Sequence, residues 1–124
     1  MLKSGLLNPA LASAVARLGH TDSFAIADCG LPIPHGTTII DLALVFGIPS
    51  FEDTLAALLE SVVVEGATIA TETPAAIRAV LPTVPIKEVT HAQLKAALSE
   101  VAFVVRTGST TPYANVILRS GVAF

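Results

Sequence analysis

Three histidines, His20, His35 and His91, and two aspartates, Asp22 and Asp28, are the main material for proton chemistry in this chain. Imidazole titrates near neutrality, so His20 can serve as a general acid or base. Asp22 stands two residues on and is placed to orient or polarise it. Asp28 closes the short apolar run Ser23-Phe24-Ala25-Ile26-Ala27. A carboxylate there offers a charged acceptor for ligand hydroxyls, and open α/β sheets place ligands at the carboxyl ends of their strands. His91 follows Thr90 at a helix start, where free backbone N–H groups favour oxygen-rich ligands. Lys95 falls four residues later on the same face. The densest polar run is Arg106-Thr107-Gly108-Ser109-Thr110-Thr111-Pro112-Tyr113-Ala114-Asn115, whose hydroxyls, phenol and amide suit the hydroxyls of a sugar.

Each of these residues also has a plain structural role open to it. His20 can cap a helix or lie on the surface, Asp28 can close the Gly30 turn, and His91 and Lys95 can simply solubilise a helix. A turn accounts for Gly108 and Pro112. It does not readily account for Asn115 after Tyr113 at the head of an apolar strand.

The three histidines fall on separate elements with no compact metal-ligand spacing, so no metal site is expected. The single cysteine, Cys29, excludes an intrachain disulfide and reads as a small buried hydrophobe. No phosphate-binding loop, dinucleotide fingerprint or nucleophile elbow is present, and Ser109 with His91 does not make a triad. No cofactor is expected.

The elements that must position these residues alternate along the chain. Asn8-Pro9 starts a helix that carries Leu11, Val15 and Leu18 inward and ends at Gly19. Ser23–Ala27 is a buried strand, and a rigid loop through Pro32, Pro34 and Gly36 follows it. Residues 38–45 read as extended. Ser50 with Asp53 marks the start of a helix bearing Leu55, Leu58, Leu59 and Val62. Val63 to Ala70 reads as a strand with a bulge or turn at Glu65-Gly66. Thr73-Pro74 opens a short helix by the device used at Asn8-Pro9. Ile86 and Val89 lie on a strand, and Thr90 caps the helix carrying His91, Leu94 and Leu98. Val101–Arg106 and Tyr113–Leu118 complete the strands. Alternation of this kind predicts an α/β fold with a mixed sheet, in one domain over residues 1–124.

The chain is 124 residues long, 52% hydrophobic and only 14% charged, and its mean hydropathy is +0.72. No apolar run reaches the roughly 18 residues a spanning helix needs. Seven Lys and Arg stand against ten Asp and Glu with no basic cluster, which argues against nucleic acid as a partner. The early Asn8 and Pro9 spoil a signal peptide, so a cytoplasmic location is expected. A small domain with so thin a cover of charge predicts burial of apolar surface against further copies of itself.

Taken in order, several blocks of the sequence resemble the D-ribose pyranase and L-fucose mutarotase family. They are Lys3-Ser4-Gly5 through Asn8, Leu18-Gly19-His20-Thr21-Asp22, Asp28-Cys29-Gly30-Leu31-Pro32-Ile33-Pro34 running on to Ile40-Asp41, Thr90-His91, and Arg106-Thr107-Gly108 through Leu118. Leu31-Pro32-Ile33-Pro34 and Gly47-Ile48-Pro49-Ser50-Phe51 favour the ribose branch. The resemblance implies a compact three-layer α/β/α fold assembled as rings, often a decamer of two stacked pentamers. It implies cofactor-free interconversion of the pyranose and furanose forms of D-ribose. It makes His20 the proton donor and Asp28, His91, Tyr113, Asn115 and the backbone at Ala114 the sugar-binding positions, in a cleft shared by neighbouring subunits. Asp22 as the partner of His20 comes from spacing alone. Mutarotation of fucose or another monosaccharide, and sugar binding without catalysis, are the alternative functions. The chain departs from the family pattern in a short Thr71–Pro85 region, in His35 where lysine is common, and in Ser109-Thr110 where an acid and a small residue are usual.

Overall fold

Three of the four helices begin on a side chain that replaces a missing backbone acceptor. In the computed structural model, which describes residues 1–124, Asn8 Oδ1 accepts the Leu11 N–H at 2.9 Å and opens α1 (Pro9–Ala16). Ser50 Oγ accepts the Asp53 N–H at 3.0 Å and opens α2 (Phe51–Leu59). Thr90 and Gln93 form a complete capping box at α4 (His91–Ala97). The short helix α3 (Ala75–Arg78) differs from expectation. Pro74 is its N-cap, Thr73 gives no cap bond, and the buried Thr73 hydroxyl has no partner. The end of α1 also differs. Arg17 is its C-cap, and the left-handed residue of the following turn is Thr21, at φ 72°, not Gly19.

Six strands make one sheet: β1 (Ser23–Ala27), β2 (Ile39–Asp41), β3 (Val64–Ala70), β4 (Ile86–Val89), β5 (Val104–Arg106) and β6 (Val116–Ser120). Their spatial order is β2-β5-β1-β6-β3-β4. Strand β6 runs antiparallel to both its neighbours, β1 and β3, while every other pairing is parallel. The sheet is mixed, as expected. Strands β5 and β6 are joined by a short connection but are not adjacent; they flank β1 on its two sides.

Alternation along β1 sorts the layers. Phe24 and Ile26 face the larger core, with Leu11 of α1, Phe51, Leu55 and Leu58 of α2 and Ile77 of α3. Ala25 and Ala27 face Leu94 of α4 and Leu98 of the 3-10 turn (Leu98–Glu100) that continues it. Large side chains thus meet three helices and small ones admit a single helix close to the sheet, giving three α/β/α layers. Each fully buried Phe, Leu or Ile contributes about 2 kcal/mol. Shifting β1 by one residue would exchange the two faces and forfeit several such terms.

Three strands are shorter than the sequence suggests. Asp41 Oδ1 accepts the Ala43 N–H at 3.1 Å, which turns the chain away and ends β2. Residues 98–103 are spent on the 3-10 turn and the approach to β5. Tyr113 sits at φ 62°, a conformation no strand can contain, so β6 begins at Val116. Between β2 and α2 the turn bearing Leu44, Val45, Phe46 and Ile48 exposes all four side chains. No helix is long and apolar enough to cross a membrane.

Candidate active site

The five strands that run the same way deliver their carboxyl ends to one edge of the sheet. Strand β1 leads into Asp28, β3 into Thr71-Glu72 and β4 into Thr90-His91, while the antiparallel β6 starts there after Asn115. The Asp28 N–H donates to Asn115 Oδ1 at 2.8 Å, and Asn115 Nδ2 donates to Asp28 Oδ2 at 2.9 Å. The second Asp28 oxygen accepts the Gly30 N–H at 2.8 Å. Asp28 therefore fills its turn-closing role and remains half-buried with capacity to accept from a ligand.

His91 and Tyr113 meet edge to face, their ring centroids 4.9 Å apart at 84°. The buried His91 Nδ1 has no hydrogen-bond partner within the chain. A buried, unpaired ring nitrogen is costly and is relieved when a ligand supplies the missing partner. The Glu72 carboxylate accepts the His91 N–H at 3.3 Å and the Thr71 hydroxyl at 2.6 Å. The Thr71 hydroxyl is the main cause that holds the Glu72 carboxyl below its ordinary value.

The connection from β5 to this edge is braced throughout. Thr107 Oγ1 donates to the Ala27 carbonyl at 2.8 Å and accepts the Ser109 N–H at 3.1 Å. Ser109 Oγ accepts the Thr111 N–H at 3.3 Å, so the serine that departs from the family pattern holds the loop by a neutral bond. The Ala114 methyl is buried and its N–H donates to the Thr111 carbonyl at 3.2 Å. Lys95 is half-buried in α4 with no ion pair, and His35 is exposed on the loop after β1.

His20 lies elsewhere. It precedes β1, so the five residues of that strand, at about 3.3 Å each, separate it from Asp28 by about 16 Å. At this opposite, amino edge, His20 Nε2 and Glu65 Oε2 are 3.1 Å apart, and Glu65 Oε1 accepts from Arg119 Nε at 3.0 Å. Asp22, expected beside His20, turns the other way: its Oδ2 accepts the Gly19 N–H at 2.8 Å. The side chain two residues on is committed to closing the turn, and the acid that reaches the imidazole is Glu65, 45 positions away. Neither Glu65 nor Glu72 stands out among the candidate residues of the sequence. The bulge at Glu65-Gly66 was the available signal for the first; nothing local marked the second.

The model of the RbsD / FucU transport protein family matches residues 1–123. The chain belongs to this family. It is 65% identical, over the full length of both chains, to a D-ribose pyranase of Corynebacterium glutamicum strain R. Its structure superposes on that of Bacillus subtilis RbsD complexed with D-ribose at a TM-score of 0.93, with 42% identity and all of both chains covered. The fucose mutarotase of Streptococcus pneumoniae, solved with L-fucose, shares the fold at a TM-score of 0.80 and 19% identity, covering 99% of this chain and all of that one.

Proposed function

We propose that the protein interconverts the pyranose and furanose forms of D-ribose without a cofactor. The observation that carries this reading is full-length 65% identity to a D-ribose pyranase, and the TM-score of 0.93 against RbsD holding D-ribose supports it.

Asp28, Asn115, His91, Tyr113 and the backbone at Ala114 hold the sugar hydroxyls at the carboxyl edge, and His91 Nδ1 gains there the partner it lacks. His20 carries the proton. As the C1–O5 bond breaks, its electron pair goes to O5, which takes the proton of imidazolium His20. The anomeric hydroxyl loses its proton to water and becomes the aldehyde oxygen. The open chain turns, the 4-hydroxyl oxygen attacks C1, its proton returns to His20, and the aldehyde oxygen is reprotonated. Atoms and charge balance, and positioning with proton transfer supplies the acceleration.

Because His20 and the sugar-holding groups stand at opposite edges of one chain, the complete site takes His20 from a second copy. Such a contact joins unlike patches, and head-to-tail contacts of that kind close into rings. The exposed Leu44, Val45, Phe46 and Ile48 supply apolar surface for assembly. The assembly stays within the cytoplasm, where no partner beyond the sugar and further copies is required.

Exchange NMR on a small panel of unlabelled sugars tests this. Accelerated pyranose–furanose exchange of D-ribose is the expected result. Accelerated exchange of fucose anomers alone would point instead to a mutarotase, and binding without acceleration to a non-catalytic sugar-binding protein.

A further inference from the structure

We propose that Glu65 is a positioning residue for His20: it holds the imidazole by Nε2 and leaves Nδ1 as the nitrogen that exchanges protons with the sugar. This rests on the reading of His20 as the proton carrier. Four observations converge on it.

The register of β3 against β6 shifts between Val64 and Gly66, so Glu65 is the extra residue of a bulge. Bulges re-aim side chains, and this one turns a carboxylate out of the ladder toward the amino edge. Both its oxygens are engaged, one at 3.0 Å from Arg119 Nε and the other at 3.1 Å from His20 Nε2. Held at both oxygens, the carboxylate is oriented toward the ring it bonds. Room for it is made on the third side by Gly121, where a Cβ would approach Glu65 Oε2 to 3.4 Å and its Cβ to 3.3 Å.

The backbone under His20 is as tightly fixed as the ring. The Thr21 N–H donates to the Ser120 carbonyl at 2.9 Å and the Ser120 N–H to the Asp22 carbonyl at 2.8 Å. The Asp22 carboxylate closes the turn on Gly19, and Thr21 is kept at φ 72°. A β-branched residue in that region is strained, and strain persists only where its surroundings over-determine it. Half-exposed ion pairs such as His20–Glu65 and Glu65–Arg119 do little for stability, which leaves their geometry without a purely structural account.

The consequence is a tautomer. With the Nε2 proton donated to Glu65, the neutral ring carries its lone pair at Nδ1, which makes no hydrogen bond within the chain. Imidazolium His20 therefore gives its Nδ1 proton to the ring oxygen, and the same atom recovers a proton when the ring recloses. Glu65 keeps its charge and loses no proton.

The test is a double-mutant cycle on the assembled enzyme, read by D-ribose exchange NMR. Glu65→Ala is expected to lower kcat about 100-fold with KM unchanged, since the sugar is held at the other edge. In a His20→Ala background the same substitution is expected to have no further effect. Glu65→Gln keeps a single acceptor oxygen for two donors and is expected to lose about 10-fold in kcat; it also serves if the alanine variant does not fold. In histidine-labelled protein, 15N spectra are expected to place the proton of neutral His20 on Nε2. Unchanged kcat in either Glu65 variant, a loss carried by KM, additive losses in the double mutant, or a proton on Nδ1 would each overturn the proposal. A His20→Ala enzyme of full activity would instead remove the reading of His20 on which it rests.

Discussion

Asp28 and Asn115, 87 positions apart, exchange two hydrogen bonds, main chain to amide oxygen at 2.8 Å and amide nitrogen to carboxylate at 2.9 Å. The pairing leaves the amide one orientation, because only oxygen can face the Asp28 N–H and only nitrogen the carboxylate. It ties the end of β1 to the start of β6 and presents both side chains to the same edge of the sheet.

Asn115→Asp replaces the amide donor by a second carboxyl in a position only 2% exposed. Burial and the Asp28 charge would raise the new group's folded-state pKa above its unfolded value. Its neutral form is tolerated and its charged form is not. Stability relative to the parent is therefore nearest normal at acid pH and falls as pH rises past about 4 toward neutrality, by on the order of 2 kcal/mol. Urea unfolding across pH checks the sign; a variant equally stable at pH 4 and pH 8 would contradict it.

Glu72 supplies the opposite dependence. Its carboxyl is held below its ordinary value chiefly by the Thr71 hydroxyl, with the His91 N–H contributing. Stability from a depressed carboxyl is present above the ordinary glutamate range and is lost as pH falls through the lowered value. Acidification is therefore expected to release the first turn of α4, seen as a lower amide protection factor at His91, corrected for the intrinsic exchange rate at each pH, in the native protein. Glu72→Gln is expected to remove that pH dependence while the Thr90–Gln93 capping box keeps the helix in place.

Gly108 permits no side chain. A Cβ there would lie 2.5 Å from the Ile48 carbonyl oxygen, 2.6 Å from its nitrogen and 2.6 Å from the Val45 carbonyl oxygen. All three are backbone atoms, so nothing nearby can swing aside. Gly108→Ala is expected to cost about 3 kcal/mol and to part the exposed 44–48 turn from the loop that carries Tyr113 and Asn115. Thermal unfolding measures the cost, and loss of assembly is expected with it.

Much of this arrangement was legible in the residues. Asn8, Ser50 and Thr90 declared their helices because a cap is a local bond between residues three apart. Strand β1 matched its apolar run, and the bulge in β3 fell at Glu65-Gly66. Thr73 misled because it resembles a cap, yet Pro74 takes that place and Thr73 is buried. Strands stop short of their apolar runs where Asp41 and Tyr113 impose turns that hydrophobicity does not report. At the site, the gathering of Asp28, His91, Tyr113 and Asn115 follows from where parallel strands end. The replacement of Asp22 by Glu65 beside His20 does not: pairing across 45 positions depends on register, and proximity in sequence pointed to the wrong acid.

The proposed site joins His20 of one copy to the Asp28–Asn115 edge of another. Co-production of His20→Ala and Asp28→Ala chains, each carrying a different tag and purified through both, tests it directly by D-ribose exchange NMR. Either variant alone is expected to be inactive. Random mixing at each contact pairs an intact His20 with an intact edge in about a quarter of the sites, so about a quarter of parental activity should return. A mixed assembly no more active than the two variants measured separately would contradict the shared site.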